Sequence, residues 1–108
     1  MTPLYDVISA QPSVDAGQIR QNSFRLGLAV GDNRHYRINT IVPRHFVQSA
    51  QQAGVGEEIV HSLFGELRRT GQEAIARTLD RLPARFPKQV STSIRAGFLR
   101  RLELIERM

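Results

Sequence analysis

The longest hydrophobic pattern in the chain covers residues 57–82. Ile59, Val60, Leu63, Phe64, Leu67, Gly71, Ala74, Ile75, Thr78, Leu79 and Leu82 recur at steps of three and four, which places them along one side of a helix. Glu57 and Glu58 stand where the positive end of the helix dipole favours acids, and Arg77 and Arg81 where its negative end favours bases. Pro83 and Pro87 bracket a turn. A second helix is predicted over about 87–107, with Val90, Ile94, Phe98, Leu102 and Ile105 as its stripe. So short a connection predicts antiparallel packing, a helical hairpin with one apolar side.

Upstream the texture is shorter and less regular. In "FRLGLAV" the residues Phe24, Leu26, Leu28 and Val30 alternate with smaller or polar ones, the period of a strand. "GDN" at 31–33 is turn chemistry, in which Gly carries no steric cost and Asp and Asn tolerate positive φ. "RHYRI" comes next and can pair back, so a β-hairpin is predicted over about 24–38. The period then changes. Asn39 or Thr40 can cap a turn, Pro43 suits a first helical position, and Phe46, Val47 and Ala50 share a face. A helix is predicted over about 43–53, stopped by Gly54. Residues 12–23, "PSVDAGQIRQNS", read as an exposed loop. The expected fold class is mainly α, a short hairpin followed by three helices, in one unit spanning residues 1–108.

Composition narrows the function classes. The chain has 108 residues, 41% of them hydrophobic, and no cysteine. That permits one modest core and excludes disulfides and thiolate metal sites. No apolar run approaches the ~18 residues of a membrane span, and no basic stretch followed by an apolar one marks a leader, so a cytoplasmic protein with no membrane partner is expected. The net charge is +5, and 14 of the 15 basic residues are arginine. The excess is spread, +2 over residues 1–56 and +3 over 57–108, with no run of five like charges. A solvated helix surface and contact with phosphates both account for it.

Candidate chemistry is sparse. His35, His45 and His61 show no metal-ligand spacing; Tyr36 is expected to pack on the hairpin, and His61 is expected to be a partly buried structural residue. No glycine-rich phosphate loop is present. The acids of the first half are Asp6, Asp15 and Asp32, and the last two sit in loop or turn sequence that requires no function of them. Asp6 differs. In "TPLYDVISA" it is one carboxylate among apolar residues, either a helix cap for "VISA" or part of a site.

"TPLYDVISA", then "LGLAVGDNRHYRINTIVPRHF", then two long helices with "ARFPKQV" between them, resemble the C-terminal end of HipA-family proteins. These are serine/threonine protein kinases, the toxins of bacterial type II toxin–antitoxin modules. The resemblance runs over nearly the whole chain in order, and "LYDVISA", "NRHYR" and "PRHF" carry it together. It implies a partial kinase-like C-lobe, with residues 1–38 holding the metal-loop stretch and hairpin and 39–108 the helices. It also implies that Asp6 is the counterpart of the metal-binding aspartate of ordinary kinases, a ligand to the Mg²⁺ that bridges ATP phosphates, with Leu4 and Tyr5 packed behind it. A hard cation wants carboxylate oxygen, and phosphoryl transfer is largely positioning and charge neutralisation.

Such a site also needs a phosphate-covering loop, a lysine for the nucleotide, a catalytic-loop aspartate and an asparagine for the metal. In the family these precede the stretch that this chain begins with, and the one lysine here, Lys88, lies in the last helical region. The resemblance therefore implies a fragment that is inactive alone, with Mg²⁺ and ATP held tightly only by the intact kinase. Met1 stands where the family carries a strand residue, which suggests a split or truncated gene or an internal start, and a chain that associates through an uncovered apolar face. The partners implied are a separately encoded N-terminal kinase piece, a HipB-like helix-turn-helix antitoxin and, indirectly, operator DNA. The alternatives are a non-catalytic binding module and a purely structural domain. For DNA, the helix after "PRHF" has no basic residue past Arg44, which leaves the pairs Arg68–Arg69 and Arg100–Arg101.

Overall fold

The computed structural model describes residues 9–106. It is mainly helical, with a two-stranded antiparallel hairpin followed by three helices. The strands are β1 (Arg25–Val30) and β2 (His35–Arg37). The helices are α1 (Gln11–Asp15), α2 (Pro43–Gln52), α3 (Glu57–Asp80) and α4 (Lys88–Glu106). Single 3-10 turns occupy Gln21–Ser23 and Ile38–Thr40.

The segment expected to be an exposed loop is therefore partly helical. Pro12 lies in the first turn of α1, where its missing N–H costs nothing, and Gln11 is 3% exposed. The reason is tertiary: α1 packs on α4 at Gly97, where a Cβ would come within 3.0 Å of the Gln11 side chain.

The hairpin forms where its alternation and turn chemistry place it, with two departures. Positive φ falls on Gly31 (84°) and Arg34 (54°) and not on the Asp and Asn between them. The pairing is irregular between Arg25 and Val30, so the expected apolar face is not covered as one. Val30 is buried, Leu26 is exposed, and Leu28 is 83% exposed.

Helix α2 begins at Pro43 as its sequence indicates, but neither Asn39 nor Thr40 caps it. Thr40 Oγ1 instead donates to the Arg37 carbonyl at 2.8 Å, and the Val42 amide donates to His45 Nδ1 at 3.1 Å. A side chain in the first turn thus satisfies the backbone ahead of the helix. Gly54, at φ 82°, ends α2 as expected.

Helices α3 and α4 pack together as the hairpin predicted from their stripes. They approach most closely where Gly71 faces Leu102: a Cβ at Gly71 would lie 3.0 Å from a Leu102 methyl. Leu102 is 4% exposed, the most buried apolar side chain described. The rest of the core is small, with Val30, Ile41, Val47 and Val60 beside it. The chain exposes 8496 Å², against about 6,100 Å² for a compact monomer of 12.2 kDa. Its radius of gyration is 15.3 Å, where about 13 Å is usual at this length.

Two glycines of α3 should respond oppositely. Gly71→Leu overpacks the crossing and should destabilise by about 1–3 kcal/mol. At Gly65 a Cβ meets only the end of the Arg68 side chain at 3.6 Å. Gly65→Ala should therefore stabilise by about 0.5–1 kcal/mol through helix propensity. Thermal unfolding distinguishes them, since each kcal/mol moves the midpoint by about 4–8 °C in a domain of this size.

Candidate functional site

Asp6, with Leu4 and Tyr5, lies outside the described residues. The nearest described element is helix α1, which a polar cluster fastens to α4. The Gln11 amide nitrogen donates to Asp15 Oδ1 at 2.9 Å, and Arg101 Nη2 donates to Gln11 Oε1 at 2.9 Å. The Ser93 hydroxyl donates to Asp15 Oδ2. The hydrogen bonds from Ser93 and then Gln11 hold the Asp15 carboxyl below its ordinary range, because each stabilises the anion. Arg101 also lies over the Phe24 ring, 5.8 Å from its centroid. The chain leaving residue 9 is thus tied to two turns of α4 and to the start of the hairpin.

Two sequence expectations are corrected. Asp15 lies in α1 and is a structural anchor, not part of a loop. Arg100 and Arg101 are both exposed, as a solvated pair would be, with Arg101 also engaged by Gln11 and Phe24. His61 is not partly buried: its side chain is exposed and meets Glu57 one turn back at 3.1 Å.

The remaining candidates are dispersed. Arg68 and Arg69 are exposed on α3, and Lys88 is exposed at the start of α4. Tyr36 packs on the hairpin as expected, with Arg25 over its ring at 5.7 Å and Arg34 donating to its hydroxyl at 3.2 Å. His35 and His45, ten residues apart in sequence, come together as stacked rings with centroids 3.8 Å apart. Among the described residues no three His, Asp or Glu side chains converge where a metal ion could be held.

One surface of α3 is apolar. Ile59, Leu63 and Leu67 are 56%, 57% and 45% exposed along one ridge of α3. Beside them Phe46 meets Phe64 edge to face at 6.3 Å. Together with Leu26, Leu104 and Ile105 these two rings line a groove between the hairpin, α2 and the end of α4. A second groove runs from Ser9 along Leu67, Phe98 and Ile105. The predicted stripe of α3 is thus wider than the surface α4 covers, which accounts for its open half.

No protein-family model matches the chain. No helix among the described residues is long and apolar enough to cross a membrane.

The α1 anchor makes a pH prediction. The Asp15 carboxyl has a lowered folded-state pKa, so its contribution is present above the ordinary carboxylate value of about 3.9 and is lost as pH falls through the folded value. Ser93→Ala removes the first of the two hydrogen bonds. It should lower the thermal midpoint at pH 7, speed amide exchange at Val14 and Ala16, and shrink the difference in midpoint between pH 7 and pH 3. An unchanged difference would show that Asp15 holds nothing.

Proposed function

We propose that the chain is the distal, mostly helical part of a HipA-like serine/threonine kinase C-lobe, inactive alone and completed by an upstream kinase polypeptide. The observation that carries this reading is the open apolar ridge of Ile59, Leu63 and Leu67 with the adjoining groove. Exposed apolar surface of this kind marks an interface. The polar anchor of α1 adds to it: the residues directly after the "LYDVIS" stretch rest on a fixed support, as a stretch that must present a carboxylate to a metal requires.

In that reading Asp6 is one Mg²⁺ ligand of the assembled kinase. The resemblance places the remaining ligands and the nucleotide pocket ahead of this stretch, so the reading assigns them to the upstream polypeptide; the described residues hold no cluster of three ligating side chains. The metal would neutralise phosphate charge during transfer; the contribution of this chain is to hold its support rigid and to close the apolar interior of the lobe.

Two measurements test this. Alone, the chain should self-associate and bind the dye ANS. Leu63→Glu, which places a charge at the centre of the ridge, should reduce both while leaving the helical circular dichroism unchanged. A wild-type chain that elutes as a clean monomer and ignores ANS contradicts an open interface. In a reconstituted kinase, Asp6→Asn should abolish autophosphorylation without weakening the complex. Retained activity with lowered stability would instead make Asp6 a helix cap.

A further inference from the structure

We propose that the His35–His45 stack is a proton-sensitive latch, which holds the hairpin turn against α2 while the His45 ring is neutral and releases it on acidification. The two rings lie nearly parallel, 18° apart, at a centroid separation of 3.8 Å. His35 comes from β2 and His45 from the first turn of α2, so the stack is itself the contact between these elements. The contact continues through three hydrogen bonds. The Gly31 amide donates to Ser49 Oγ at 2.8 Å, the Asp32 amide to Gln48 Oε1 at 3.0 Å, and the Gln52 amide nitrogen to Asp32 Oδ1 at 2.8 Å.

Four features require the neutral form of His45. Its residue is 3% exposed, so a charge there loses hydration. Its Nδ1 accepts the Val42 amide proton, which assigns the remaining ring proton to Nε2; a proton on Nδ1 would set donor against donor. It lies in the first turn of a helix, where the backbone dipoles repel a cation. Its stacked neighbour is another histidine, which opposes a proton on His45. Burial first, then His35 and Arg44, lowers its pKa from the ordinary 6.5.

The charged groups around it are few. His35 faces it from β2, and Arg44 is adjacent on its own helix. In the turn, Asp32 is engaged by Gln52, and no ionisable group of α3 acts on it. Gly31 fixes the geometry, since its open flank is filled by His45 Cβ at 3.0 Å and Gln48 Oε1 at 2.8 Å from where a Cβ would be. A histidine buried neutral contributes stability above its ordinary value, and that contribution is lost as pH falls through 6.5 toward the folded-state pKa. Because Val42 and Phe46 also line the apolar groove, release of the latch alters that wall.

The test is an NMR titration of the full chain from pH 7.5 to 5. The His45 ring should titrate below 6.5, and the Gly31, Asp32 and Val42 amides should move with the same midpoint while the Leu102 amide stays still. His45→Gln keeps an acceptor for the Val42 amide but cannot be protonated, so its three amides should stay fixed over the range. His35→Phe keeps a stacked ring and removes its charge, so the His45 midpoint and the amide transition should both rise toward 6.5. Amides that do not move in the wild type, or that move equally in His45→Gln, overturn the latch. Should His45→Gln fail to fold, His35→Phe decides: an amide transition that does not track the shifted His45 midpoint overturns it equally.

Discussion

The crossing of α3 and α4 at Gly71 and Leu102 joins the two longest helices described, and the other two helices each pack on one of them. The glycine lets the two backbones approach, and the leucine fills the space that a Cβ would take. On one side α4 carries α1 through Gln11, Gly97 and Arg101. On the other α3 carries α2, and α2 in turn carries the hairpin through the histidine stack and Ser49. The hairpin also meets α4 directly, where Arg101 lies over the Phe24 ring and Leu26 shares a groove with Leu104 and Ile105. Among the described residues the buried apolar side chains are few, and Ile59, Leu63 and Leu67 of α3 are left exposed.

That geometry gives the apolar ridge its meaning. A helix of 24 residues whose stripe runs from Ile59 to Leu79 offers more apolar width than one partner helix can cover. Helix α4 packs on it at Gly71, α2 meets it through Phe46 and Phe64, and Ile59, Leu63 and Leu67 remain about half exposed. About half of each side chain is still exposed, so covering the remainder would contribute about 1 kcal/mol apiece. A second polypeptide on this face therefore has a driving force without any rearrangement of the helices.

Elements with strong local signals were legible in the sequence. The stripes of α3 and α4, the proline pair between them, Pro43 at the start of α2 and Gly54 at its end all act within a few residues, and each stands where its spacing indicates. Contacts that join distant segments were not legible. Gln11 reaches Arg101 across 90 residues and Asp15 reaches Ser93 across 78, so nothing near either acid or amide announces the pair. Pro12 was the one available sign of α1, and a five-residue helix is too short to show periodicity. The His35–His45 contact escaped a search for ligand spacing because the rings meet face to face between two elements. Asp6 was singled out by its apolar setting and by resemblance; its role rests on the proposed kinase reading, since it lies outside the described residues.

The most direct test of the proposed kinase-lobe reading is hydrogen–deuterium exchange on the chain, alone and with a polypeptide carrying an upstream kinase lobe and catalytic loop. Side-chain coverage of the ridge should slow exchange at residues 59–67 and around Phe46, and the ANS signal of the chain should fall as the complex forms. A chain whose exchange at 59–67 is unchanged by any such polypeptide, and which never binds the dye, would contradict it.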